Sequence, residues 1–458
     1  MCKKISLTIT FLFLIILAFA QTTIIKGTVE NSDFHKIRII TYADQVSYLE
    51  KTIASAEIDN NGNFYLELDL PETIYSFLAV GFQKAEFYIE ARKTYNLEVI
   101  CENDDKPYSF TDPKILDIKI NNSKKSELNN LIRNFNFLYN NFVINNFNKL
   151  YKQKQKFLLD TLKNRSSKLL FASNNEYFQN FVKYKIASIE QMAGIKNKKT
   201  IIEEYFISQK VLYNNVEYMS FFNTSFEGYI NSNQGISLNI IRDIINNKNA
   251  SAQKIIDIFK NDKILSRDYQ ILELVLLKSL TELYYTPKYN RENILKIISE
   301  ISKNAKNVQN KEIAENIISS INKLKPGTKA PGFSLPDHKK NQISLSDFKG
   351  KNVYINFWNS NCVQCILEMD SIQKIKNQYK NKIEFISIST DRHPEKAQKI
   401  IAEKNYDWFF LNFNNNIELL ENYNVKMLPV NVIIDSESNI ISCPAVAPGW
   451  ELSKVRLP

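Results

Sequence analysis

Two cysteines three positions apart, in Cys362-Val363-Gln364-Cys365, are the residues of this chain whose type and spacing best suit chemistry. The apolar run from Val353 to Trp358 ahead of them reads as a fully buried strand, and the sequence from Cys362 to Tyr379 reads as a helix. A strand running straight into such a pair puts the first sulfur at a helix N-terminus. There, unpaired backbone N–H groups and the helix macrodipole favour a thiolate. On that placement Cys362 is the nucleophile. Cys365, one turn deeper, is close enough to attack a mixed disulfide and resolve it within the same molecule. Other chemistries compete for the pair. A structural zinc site needs two more Cys or His ligands at a suitable spacing, and only His338, His393 and Cys443 are at hand, scattered. A c-type haem attachment needs His directly after the second cysteine, where Ile366 stands. An inert disulfide across four residues closes a loop too short to stabilise much. Redox exchange ranks first, with no metal and no cofactor required, ahead of the inert disulfide and of zinc.

The elements that must position the pair lie in the last third of the chain. A linker, Lys325-Pro326-Gly327-Thr328-Lys329-Ala330-Pro331, opens a segment in which strands and helices alternate, as in an α/β domain. After the strand and helix around the cysteines come strand Ile383 to Ser389, helices Pro394 to Lys404 and Asn416 to Asn422, and strand Val430 to Asp435. Upstream, from Ile24 to about Ile100, the period is two. Phe64, Leu66, Leu68 and Leu70 share a face after an Asn60-Asn61-Gly62-Asn63 turn. The runs Ile24 to Val29, Ile37 to Tyr42, Tyr75 to Val80, Glu86 to Ile89 and Asn96 to Ile100 add strands, with Gly27 and Gly81 as punctuation. A small β-sandwich is expected, without a catalytic set of its own. A polar stretch from Cys101 to Lys114 with Pro107 and Pro113 reads as a linker. From about Ile115 to Leu324 the period is helical, with breaks expected near Asn164 to Ser167, Gly194 to Lys199, Gly235 and Pro287. The expected layout is multidomain: an all-β sandwich over 21–102, an all-α middle domain over 115–324 and an α/β domain over 326–458.

A chain of 458 residues is too long for one core. Its 44% apolar and 24% charged residues, with 29 Phe and 23 Tyr, argue against disorder. The net charge of +10 reads as dispersed, with lysines alternating with Asn, Ile and Glu, so no nucleic-acid partner is expected. Lys3 and Lys4 precede an apolar run from Ile5 to Phe19 that ends in Ala18-Phe19-Ala20 before Gln21, the pattern of a cleaved secretory signal over 1–20. The run is short of the roughly 20 residues that span a bilayer, so no stable membrane span is expected after cleavage. Cys2 leaves with the signal, and Cys101, Cys362, Cys365 and Cys443 then face an oxidising compartment, the periplasm or cell envelope.

Gly327-x-x-Ala330-Pro331-x-Phe333, Leu345-x-x-Phe348-x-Gly350-Lys351, Phe357-Trp358, Cys362-x-x-Cys365-x-x-Glu368 and Leu428-Pro429 together resemble the bacterial TlpA/ResA-type thioredoxin family, a redoxin, over about the last 130 residues. The resemblance implies a thioredoxin fold and a secreted or membrane-tethered thiol-disulfide oxidoreductase acting on protein disulfides. A reductase of this kind needs a membrane electron donor of the DsbD or CcdA type. Pro429 matches the family's cis-proline, which sets the Leu428 backbone beside the cysteines to hydrogen-bond an extended substrate strand. Glu368 matches an acidic residue one turn after the second cysteine that shuttles the proton released on thiolate formation. Trp358 is expected to pack under the active site. The β-domain resembles the N-terminal domain of unknown function often fused to such redoxins, although Ala91-Arg92 stands where that domain has Pro-Gly. Asn361 and Gln364 replace the family's Trp and Pro. Losing that proline removes a rigid helix start and leaves at Gln364 an amide able to hydrogen-bond the sulfur, changes expected to move the reduction potential, towards either a reductase or an oxidant. The chain ends at Pro458, soon after Pro448-Gly449-Trp450, where the family continues into a final helix, so that edge is expected to be less stable.

Two other function classes stand beside this one. A thiol peroxidase shares the Ala330-Pro331-x-Phe333 opening, but Asn359-Ser360-Asn361 lacks the Pro and Thr of a peroxidatic loop. An envelope binding protein with a vestigial redoxin would keep a cysteine pair that never cycles.

Overall fold

The computed structural model describes residues 22–32, 34–102, 116–171, 173–232, 237–380 and 382–448. The expected signal segment, most of the polar linker, the break at Gly235 and the chain beyond Pro448 lie outside the described residues.

Two four-stranded sheets form the N-terminal sandwich. One runs Asn63–Leu68, Thr23–Glu30, Thr94–Ile100, Asp117–Ile120, and the other Glu50–Glu57, Lys36–Tyr42, Ile74–Val80, Gln83–Ile89. Phe64, Leu66 and Leu68 point inward, as the period-two pattern requires. Gly81 turns the Ile74–Val80 strand into Gln83–Ile89 at φ +58°, and a Cβ there would lie 2.2 Å from the Phe34 ring. Arg92, at the position of the family's glycine, takes φ 63°. Glu50–Glu57 was not legible as a strand because it is an edge strand whose small and charged residues are mostly exposed. Asp117–Ile120 corrects the expectation of helix from residue 115. Its Ile118 and Ile120 alternate with polar residues, and it pairs antiparallel with Thr94–Ile100.

Helices occupy the middle of the chain from Leu128 to Asn322. The abundant asparagines have a local purpose here: Asn175, Asn197, Asn215, Asn290 and Asn307 each cap a helix by accepting a backbone N–H. Such caps are worth about 1 kcal/mol each. The break expected near Asn164 to Ser167 does not occur, and Phe157–Phe171 is one helix. Ser166 and Ser167 turn their hydroxyls back onto the carbonyls of Leu162 and Asn164, so they are accommodated without ending the helix.

The C-terminal domain is built on a five-stranded sheet in the order Phe409–Asn412, Ile383–Ser389, Asn352–Trp358, Val430–Ile434, Ile440–Ser442. The first three are parallel, and Val430–Ile434 returns antiparallel to the central strand. Alternation along that strand divides two environments. Val353, Ile355 and Phe357 join a buried cluster that continues into the sandwich through Phe34 and Phe82. Tyr354 and Trp358 face clusters formed with the helix Val363–Tyr379. At the sandwich contact Phe82 stacks on Phe413 with centroids 6.2 Å apart, and the buried Arg38 reaches both oxygens of Glu421 at 2.7 and 3.2 Å.

Candidate active site

Cys362 is the N-cap of the helix Val363–Tyr379, and its Sγ accepts the Cys365 backbone N–H at 3.1 Å. The two sulfurs form a disulfide, with Cα atoms 5.2 Å apart. Their exposure differs sharply. Cys362 is half-buried and Cys365 is fully buried beside Trp358 and Met369. An external thiolate can therefore reach only the outer sulfur, and the inner one is shielded by the fold. Trp358 packs in the same cluster as the pair and is fully buried, its indole Nε1–H without a hydrogen-bond partner.

The loop before Cys362 is held by a residue that sequence reasoning missed. The buried Asp391 carboxylate accepts the Ser360 N–H at 3.0 Å and hydroxyls of Ser360 and Ser389 at 2.7 Å each. The next residue, Arg392, lies over the Phe34 ring of the sandwich at 5.0 Å, so the brace of this loop also touches the N-terminal domain.

Glu368, one turn beyond Cys365, is buried. Its Oε2 accepts the side-chain amide of Asn431 at 2.8 Å, and Asn431 Oδ1 in turn accepts the amide of Asn356 at 2.8 Å. Both asparagines are buried inside strands, and Asn356 Oδ1 has no partner. Neither was singled out from the sequence. The available signal was a polar residue within an otherwise apolar strand run, because a buried amide needs a partner. Burial, and after it the Glu368 carboxylate, drive the Tyr354 hydroxyl far above the usual tyrosine range, so it stays protonated and donates to the Val446 carbonyl at 2.8 Å.

The Leu428–Pro429 peptide is cis, and Leu428 packs in the same cluster as the cysteine pair. Val363, Leu367 and Met427, on the same helix and beside Leu428, are 72%, 54% and 64% exposed. The Gln364 amide is exposed and bonds to neither sulfur; the donor to Cys362 Sγ is the Cys365 backbone N–H. Cys443 lies outside this arrangement, and burial raises its thiol pKa. Cys101 is buried in the sandwich core.

A disulfide with one accessible sulfur, capping the helix that follows the central strand and packed with the residue that precedes a cis-proline, is the arrangement of a thioredoxin-like thiol-disulfide oxidoreductase. The Redoxin family matches residues 325–455. Over 121 residues the chain is 32% identical to the thiol-disulfide oxidoreductase ResA of Bacillus thuringiensis subsp. konkukian, covering 26% of this chain and 69% of that protein. It is 30% identical over 119 residues to the thioredoxin-like protein YneN of Bacillus subtilis, with the same coverage. Among solved structures, the thioredoxin domain of a thiol-disulfide oxidoreductase from Bacteroides vulgatus shares 31% identity, covers 26% of this chain and 87% of its own, and has a TM-score of 0.25. The chain belongs to the ResA/TlpA-type thiol-disulfide oxidoreductases of the Redoxin family through its C-terminal region.

Proposed function

We propose that this enzyme exchanges disulfides in proteins of the cell envelope, reached through a cleaved signal over residues 1–20, with Cys362 as the attacking and Cys365 as the resolving thiol. In the reducing direction the Cys362 thiolate attacks one sulfur of a substrate disulfide. The substrate S–S bond breaks, a mixed disulfide to Cys362 forms, and the first substrate thiolate leaves and takes a proton. Cys365 passes its proton to the Glu368 carboxylate and attacks Cys362 Sγ, which releases the second substrate thiolate and leaves the Cys362–Cys365 disulfide. Two electrons have passed to the substrate. A membrane donor of the DsbD or CcdA type restores the dithiol. Leu428 and Pro429 offer backbone to an extended substrate segment, and Val363, Leu367 and Met427 give it an apolar seat. Trp358 supports the pair from below.

The observation that carries this reading is the unequal exposure of the two sulfurs in a disulfide at a helix start. The test is reduction of insulin by the wild-type protein and by Cys362→Ser, together with a glutathione titration of the pair. Turnover by the wild type alone supports the reading, and a potential below about −200 mV marks a reductase. A pair that does not cycle refutes it and leaves an envelope binding protein with a vestigial redoxin.

A further inference from the structure

Contrary to the dispersed charge expected from the sequence, most of the net charge of the chain is concentrated in one segment. Residues 128–171 carry eight cationic side chains and a single acid, Asp160, a net +7 against +10 for the whole chain. They fold into the helices Leu128–Phe147 and Phe157–Phe171, joined by a π-helical turn at Asn148–Lys152 and a short loop. At this joint Lys149, Lys152, Lys154 and Lys156 are all exposed, and none has an acidic partner among the described residues. Of the other cations in the segment, Lys163 pairs with Glu190 at 3.2 Å and Arg165 lies over Phe142 at 5.4 Å.

The same two helices expose large apolar side chains. Phe147 and Phe157, which flank the four lysines, are 52% and 60% exposed. On the first helix Phe137 and Ile144, two turns apart and therefore on one face, are 74% and 73% exposed, opposite the stripe Leu131, Phe135, Tyr139 and Phe142 that packs into the core. Phe171, at the end of the second helix, is 88% exposed. A solvent-facing helix surface is ordinarily polar, and exposed aromatic rings next to unpaired lysines are the composition of a surface that lies in a membrane interface.

We infer that this helical hairpin docks on an anionic phospholipid bilayer, with its lysines at the headgroups and the rings of Phe147 and Phe157 in the acyl boundary. The charge complementarity is with lipid phosphates. Exposed rings that flank unpaired lysines need no shaped pocket in a fluid interface, whereas a protein partner needs a fitted one. No helix of the described residues is long and apolar enough to cross a membrane, so the contact is peripheral. It would hold the redoxin domain at the surface where a membrane electron donor works, but it does not depend on the redox reading.

The test is co-sedimentation of the full chain with vesicles of phosphatidylcholine alone or of equal parts phosphatidylcholine and phosphatidylglycerol. Any partitioning through residues 1–20 is common to wild type and variants. The variants are Lys149→Gln/Lys152→Gln/Lys154→Gln/Lys156→Gln and Phe147→Ser/Phe157→Ser, all at exposed positions, with unchanged insulin reduction as the check that each is folded. The expected result is salt-sensitive binding to the anionic vesicles that falls about fivefold per lysine removed, and a further loss in the phenylalanine variant at constant charge. Equal binding to both vesicle types, or anionic binding unaltered in either variant, overturns the inference. So does a wild type that ignores anionic vesicles but binds polyglutamate through the same lysines, which would make the hairpin a site for acidic protein.

Discussion

Replacing Asn431 with Val tests whether the buried chain from Asn356 to Glu368 matters to both stability and turnover. Valine keeps the volume roughly and suits a strand, so the perturbation is the loss of two polar contacts rather than of packing. The Glu368 carboxylate loses a donor at 2.8 Å in a site only 8% exposed, and the Asn356 amide loses an acceptor at 2.8 Å. A hydrogen bond to a charged group contributes about 1.5–3 kcal/mol, and an orphaned buried amide costs about 1–3 kcal/mol. Asn356 Oδ1 already lacks a partner, so that residue has nothing to fall back on. The expected destabilisation is about 3 kcal/mol, read by urea unfolding with the disulfide intact and followed through the tryptophans, of which Trp358 is buried beside Cys365. In a Glu368→Leu background the same substitution should cost at least about 1.5 kcal/mol less, because the charged acceptor is gone. Insulin reduction by Asn431→Val should slow about tenfold, the effect of about 1.4 kcal/mol on a barrier, with KM unchanged, since the substrate seat is untouched. A loss under about 0.5 kcal/mol with no coupling to Glu368 would fall within the range of ordinary surface changes and refute the reasoning.

Two further outcomes rest on ion pairs. Glu421→Ala strands the buried Arg38, whose side chain is 3% exposed, at the contact between sandwich and redoxin domain. Urea unfolding should show a loss of about 2–3 kcal/mol that Arg38→Leu/Glu421→Leu largely recovers. For Glu190, burial pushes the carboxyl pKa up, but bonds from Lys196, Tyr205 and Lys163 outweigh it, and the net value lies below the ordinary 4.5. A depressed folded pKa means stability that is present above the unfolded value and lost as pH falls through the folded one. Glu190→Gln should therefore cost about 1–2 kcal/mol at pH 7, and the gap between wild type and variant should close as the pH falls below 4.5, as followed by thermal unfolding across that range.

What the sequence made legible about this protein is what local rules govern. The cysteine pair sits where a strand meets a helix, and the strand and the helix are each a run of neighbouring residues, so the position of Cys362 at a helix start follows from adjacency alone. The alternation Phe64, Leu66, Leu68 likewise fixes a face without reference to any other strand. What escaped depends on partners far away along the chain. Arg38, Asn356 and Asn431 each interrupt an apolar strand run, and each proves to be buried. Burying such groups is tolerable only if something answers them, so the interruptions reveal that a partner exists. They do not reveal which one. Arg38 meets Glu421 across 383 residues, Asn356 meets Asn431 across 75, and Asn431 meets Glu368 across 63. The first of these pairs spans the contact between the sandwich and the redoxin domain, and the other two set Glu368. At Arg38, Asn356 and Asn431 a polar residue inside an apolar strand is therefore the sequence feature that marks where the domains join and where the candidate site is supported, even though its partner emerges only from the fold.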